Sequence, residues 1–166
     1  MIIPASLTKA NDKLYEPAGL IYKSLKVYDE GKKYDSCSFK FGNKKILFRL
    51  GNITPKKIGQ FVTLWQRRND VIQPYDVSDN IDFVIIHVLT DDQAGQFIFP
   101  KHILVDKNIF SINNIGGKLS FRVYPPWSNP VNKQAIKTSK WQMEYYVKIP
   151  MRPNIRTIKR VHELLI

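Results

Sequence analysis

One cysteine, Cys37, stands in 166 residues, so the chain cannot close a disulfide within itself. A reducing compartment is the default for such a chain, and the cytoplasm is the expected location. No histidine lies near Cys37 in sequence to activate it, and the position reads as a buried residue of a strand. No apolar run approaches the ~20 residues that a membrane-spanning helix requires, so no membrane partner is expected. The opening Met1-Ile2-Ile3-Pro4 is apolar for only three residues before Lys9 and Asp12 intervene, which is not the pattern of a secretory leader. There is no glycine-rich phosphate loop, no GxGxxG and no Cys/His zinc pattern. The three histidines, His87, His102 and His162, are scattered, and no cofactor or metal is expected.

Acid is the other shortage. The chain holds 26 Lys and Arg against 14 Asp and Glu, a net charge of +12, and its pI is about 9.8. Six of the acids are aspartates between Asp70 and Asp92, a stretch without Lys or Arg, and the rest of the chain therefore carries +18. Pro130–Ile166 holds eight cations against Glu144 and Glu163. Charge segregated in this way predicts one basic face and one acidic edge, and a basic face attracts polyanions. The aspartates Asp76, Asp79, Asp82, Asp91 and Asp92 are residue types that hold divalent cations, yet turn and cap roles are the better account of them.

What remains is ordinary globular composition, 43% hydrophobic and 24% charged, in a length that suits a single domain over residues 1–166. From Ser6 to Glu30, Leu7, Leu14, Ala18, Ile21, Tyr22 and Leu25 recur at helical spacing, which predicts one or two helices interrupted at Pro17. Ser36–Phe41 and Lys45–Leu50 read as strands joined by a Gly42-Asn43 hairpin. Thr54-Pro55-Lys56-Lys57 has the form of a helix start, with Ile58, Phe61, Val62 and Trp65 as its apolar face. The continuous run Asp82–Leu89 reads as a buried central strand, followed by strands at Gly95–Phe99 and Leu119–Tyr124. A short helix at Pro130–Ser139, a strand at Trp141–Ile149 and a final helix capped by Asn154 complete the chain. Gly59-Gln60-Phe61 echoes Gly95-Gln96-Phe97, but the contexts differ. The predicted fold class is α/β (α+β): a mixed central sheet flanked by helices.

The stretch "RVYPPWSNPVNKQAIKTSKWQ", Arg122–Gln142, contains four cations, two Trp and one Tyr and no acid. Pro125-Pro126 stiffens the backbone between Tyr124 and Trp127. Aromatics held this way beside Arg122 can stack on bases or pack on sugars. Lys133, Lys137 and Lys140 share one helix face, and a helix N-terminus with lysines forms a phosphate site. Gln134, Thr138 and Gln142 add donors. Lys56 and Lys57 sit at the other predicted helix start, where they oppose the dipole unless an anion completes the site. Each feature also has a plainer reading, as a solvated charged face or a corner covered by aromatics.

The segments "TPKKIGQFVTLWQR", "GQFIFPK", "RVYPPW" and "KQAIKTSKWQ" together resemble the MepB-like family of small bacterial proteins over residues 35 to 149. The resemblance implies a restriction-endonuclease-like core, helix–three strands–helix–strand, preceded here by an N-terminal helix and β-hairpin. It also favours a role in nucleic-acid binding. The parent nucleases need an acidic-x-Lys set on the third core strand, to hold Mg²⁺ and orient the nucleophile. This chain offers Ser120-Phe121-Arg122 there, and on the second strand no acid precedes Asp106.

The resulting expectation is a nucleic-acid-binding protein on a catalytically degenerate nuclease-like scaffold, with DNA placed ahead of RNA. Its expected contacts are Lys56, Lys57, Lys101, Arg122, Trp127, Lys133, Gln134, Lys137, Thr138 and Lys140. Two alternatives stand beside it: a Mg-dependent nuclease with a migrated site built on Asp82 with Glu16 or Glu30, and an interaction module for an acidic protein partner.

Overall fold

Alternating side chains make strands only if one face finds a core, and the pair Cys37–Phe41 (β2) and Lys44–Leu50 (β3) does. Their turn is the two-residue Gly42-Asn43, with Gly42 at φ +60°, as a type II′ hairpin requires. A computed structural model describes all residues, 1–166, and places this hairpin in a six-stranded sheet. The other strands of the sheet are β1 (Tyr22–Val27), β8 (Phe83–Leu89), β9 (Ala94–Pro100) and β11 (Tyr146–Lys148), in the spatial order β1-β2-β3-β8-β9-β11. Only β3 and β8 run parallel, so the sheet is mixed.

Both faces of this sheet are covered. On one face, the helices α1 (Ala5–Ala10) and α4 (Ile155–Leu165) enclose Phe39, Phe48, Ile85 and Ile98. Asn154 caps α4 by accepting the Thr157 N–H at 2.9 Å, and Val161, Leu164 and Leu165 face inward. On the other face lie helices α2 (Lys101–Asp106) and α3 (Lys133–Met143). With them is a small sheet of β4 (Asn52–Ile53), β5 (Gln60–Thr63) and β10 (Ser120–Val123). Their core contains Leu47, Val62, Ile86, Phe97, Phe99 and Val123. A separate two-stranded ribbon, β6 (Gln66–Arg68) with β7 (Val71–Gln73), turns at Asn69-Asp70, both at positive φ. The mixed sheet flanked by helices, with an N-terminal helix and a hairpin, is the architecture that the apolar patterning predicts.

Three local expectations fail. The helix from Thr54 is absent: residues 54–59 form an irregular segment, and Gln60–Thr63 pairs antiparallel with β10. Gly59 sits at φ +86°, and Phe61, Val62 and Thr63 are good strand formers; tertiary pairing decides against a weak helix signal. Its proposed apolar face is dispersed, with Val62 buried and Ile58 exposed. The N-terminal helical segment ends early, in a π-helical turn at Asn11–Tyr15 followed by Pro17 and by Gly19 at φ +75°. Tyr22–Val27 is then an edge strand. Finally, Trp141–Ile149 is not one strand: α3 continues to Met143 and only Tyr146–Lys148 pairs with β9.

Candidate nucleic-acid interface

Strand β10, helix α3 and the 54–59 segment surround an open cleft of about 800 Å³. Six cationic side chains line it: Lys56, Lys57, Lys107, Lys118, Arg122 and Lys137. No aspartate or glutamate does. Lys56, Lys57, Lys118 and Lys137 are exposed and make no ion pair. Lys107 is half-buried, with its ammonium 5.5 Å from the centre of the Trp141 ring and 3.7 Å from Asp106.

The first turn of α3 opens into the same cleft through Asn132, Gln134 and Ala135. Asn132 accepts the Ala135 N–H at 2.8 Å, which satisfies one of the free amides at the helix start. The positive end of the helix dipole and its remaining amides add to the field of the lysines. Thr138 lines the cleft one turn further along α3. Phe121, Tyr124 and Trp141 supply half-buried aromatic surface, and Trp141 is anchored on Phe99 with ring centres 5.5 Å apart.

Arg122 holds the cleft together. Its guanidinium donates to Thr54 Oγ1 at 2.7 Å, reaches the carbonyls of Ile58 and Gly59 at 3.4 and 3.5 Å, and lies over the Phe61 ring at 5.7 Å. The segment carrying Lys56 and Lys57 is thus tied to β10 by one side chain. Gln142 is fully buried, at 0% exposure, with both polar atoms bonded to the β10 backbone. It is a structural clip and not a donor facing the cleft.

Of the residues singled out from sequence, the fold gathers Lys56, Lys57, Arg122, Gln134, Lys137 and Thr138 in this cleft. Four lie outside its lining. Lys101 donates to the carbonyls of Val77 and Asp79 at 3.0 and 2.6 Å and braces the start of α2. Trp127 packs half-buried against the core beneath the small sheet. Lys133 and Lys140 are exposed on the flank of α3. The cleft adds Lys107, Lys118, Phe121 and Trp141, which sequence reasoning did not single out. All four fall in the acid-free run from Lys107 to Met143, which was the available signal.

The carboxylates do not converge. No group of three or more His, Cys, Asp or Glu comes close enough to hold a metal ion. Asp82 accepts the Lys45 N–H at 2.8 Å and closes the parallel pair β3–β8, while Glu30 pairs with Arg67 at 2.7 Å and Glu16 is exposed elsewhere. Asp76 accepts from Ser78, Ser111 and Asn114, and these hydrogen bonds hold its carboxyl well below the usual range. Cys37 is buried, and burial pushes its thiol up to about 12, which leaves it inert at neutral pH.

Fold and cleft together define a mixed α+β protein with a basic groove between a small sheet and a helix. The chain belongs to the MepB-like family, whose profile matches residues 28–148. A solved structure described as the crystal structure of MepB is 36% identical, covers 79% of this chain and 89% of its own, and superposes with a TM-score of 0.75. No curated protein matches the chain. No helix is long and apolar enough to cross a membrane.

Proposed function

We propose that the protein binds nucleic acid through the β10–α3 cleft, chiefly by contacts to phosphates and with little readout of base sequence. The carrying observation is that six cations and no acid line one open groove. Cations crowded this way repel one another, and a polyanion offsets that repulsion. Lys56 and Lys57 approach from one wall and Lys137 from the other, so a backbone lying in the groove meets positive charge on both sides. Trp141, Tyr124 and Phe121 provide surface for a base or sugar, and Gln134 and Thr138 provide donors. In this reading the scaffold is nuclease-like without the catalytic carboxylates, and DNA is the first substrate to test.

Fluorescence anisotropy with labelled single- and double-stranded DNA and RNA, titrated with salt, tests the reading. The logarithm of the binding constant falls linearly with the logarithm of salt concentration, by roughly 0.7–0.9 per phosphate neutralised. A Lys57→Glu/Lys137→Glu double variant, reversing charge on both walls, loses at least about tenfold in affinity. Unchanged affinity in that folded variant, or no binding at low salt, overturns the proposal.

A further inference from the structure

A second cavity, of about 370 Å³, shares no residue with the cleft. Arg49 forms part of its lining and is 4% exposed. Its guanidinium donates to the carbonyl of Phe48 at 2.9 Å and meets the Tyr75 hydroxyl, which leaves most of its five donors without a protein acceptor. It makes no ion pair. A guanidinium carries five donors and stays charged at any physiological pH, so a buried one without a carboxylate is an unusual expense for a fold.

The two acids of this pocket do not answer Arg49. Glu30 is paired with Arg67, and Asp79 is held by Arg68, Gln66 and the Asp76 N–H. Other donors around the cavity are uncommitted. Lys45 has no ion pair, and the hydroxyls of Ser36 and Thr63 make no hydrogen bond to the protein. Tyr28, Trp65 and Tyr75 supply aromatic walls. A buried planar fork, an ammonium and two hydroxyls exceed what the two oxygens of a carboxylate can use, and match the three oxygens of a phosphate. The volume suits a small ligand.

We propose that this pocket binds a phosphate monoester, its oxygens on Arg49 and Lys45 and its organic part against Trp65 and Tyr75. The monoester comes either from a free nucleotide or from the phosphorylated end of a strand, and both present the same chemistry to Arg49. The site is independent of the cleft.

Titration of Trp fluorescence and of thermal stability at constant ionic strength tests it. The probes are inorganic phosphate, a nucleoside 5′-monophosphate, the matching nucleoside, and a trinucleotide with and without its 5′-phosphate. Saturable binding that needs the phosphate group, weakens at least tenfold in Arg49→Met and survives in Lys57→Glu/Lys137→Glu supports the site. A mononucleotide binding as tightly as the phosphorylated trinucleotide assigns the free ligand, and a tighter trinucleotide assigns the strand end. If Arg49→Met fails to fold, Arg49→Lys, which keeps the charge and loses the fork, and Lys45→Met on the rim each weaken binding at least tenfold. No binding by any phosphate, binding unaltered by these changes, or binding lost only with the cleft lysines overturns the proposal.

Discussion

Gln142 Oε1 accepts the main-chain N–H of Tyr124 at 2.8 Å, while its Nε2 donates to the carbonyl of Arg122 at 2.9 Å. A side-chain amide on α3 thereby continues the hydrogen bonding of β10, as a neighbouring strand would. Gln142→Leu keeps the volume but leaves a buried N–H and C=O without partners. It destabilises the fold by about 2–4 kcal/mol, measured by urea unfolding, whereas Lys133→Ala on the exposed flank stays within about 0.5.

Gly59 and Gly95 each lie under a tyrosine ring. A Cβ at Gly59 would stand 2.8 Å from Tyr124 and from the Val123 carbonyl, and one at Gly95 would overlap the Tyr146 hydroxyl. Both glycines of the repeated Gly-Gln-Phe leave room for a tyrosine, but their backbones differ: Gly59 precedes β5 at φ +86°, whereas Gly95 lies within β9. Gly59 also needs its positive φ. Gly59→Ala costs about 2 kcal/mol or more from strain and overlap, and thermal melts show it; Gly95→Ala displaces Tyr146 and lowers the melting temperature as well.

Arg122→Gln removes the fork that holds Thr54, Ile58 and Gly59. Amide exchange at residues 54–59 accelerates while the six-stranded sheet stays protected, because that sheet does not depend on this side chain. Nucleic-acid affinity falls by more than the loss of one charge implies, since Lys56 and Lys57 lose their fixed position. An affinity loss no larger than that of Lys118→Gln contradicts this coupling.

His87 is fully buried beside Gln96, whose Nε2 donates to His87 Nδ1 at 3.1 Å while Tyr15 donates to Gln96 Oε1 at 2.8 Å. Its Nε2 has no partner. Burial, with a smaller contribution from Lys9, lowers its pKa from 6.5 to about 3. The unfolded chain takes up this proton below pH 6.5 and the folded chain does not. Its contribution to stability is therefore complete above that pH and lost as pH falls. The unfolding free energy from urea titrations declines between pH 6.5 and 5 with a slope of up to about 1.4 kcal/mol per pH unit, and His87→Leu flattens that slope.

Much of this protein is written in short-range pattern. The alternation in β2 and β3, the apolar run of β8, the Asn132 and Asn154 caps and the absence of acid from Lys107 to Met143 all act locally, through pleat, burial and N–H capping. They suffice for a mixed sheet with helices and for a basic surface. The segment Thr54–Trp65 shows where this stops: its helix signal loses to pairing with β10, which lies some 60 residues further on and is invisible to any local window. The same holds for Tyr22–Val27, which becomes a strand because β2 offers it an edge. Tertiary structure alone decided which lysines meet. It turned Lys101 toward the carbonyls of Val77 and Asp79 and left Lys133 and Lys140 on the flank, while it brought Lys107, Lys118 and Trp141 to the cleft. It also buried Arg49 without a carboxylate. Charge and composition fix how strongly a chain attracts a polyanion, but only the packing of β10, α3 and the 54–59 segment fixes where one would lie.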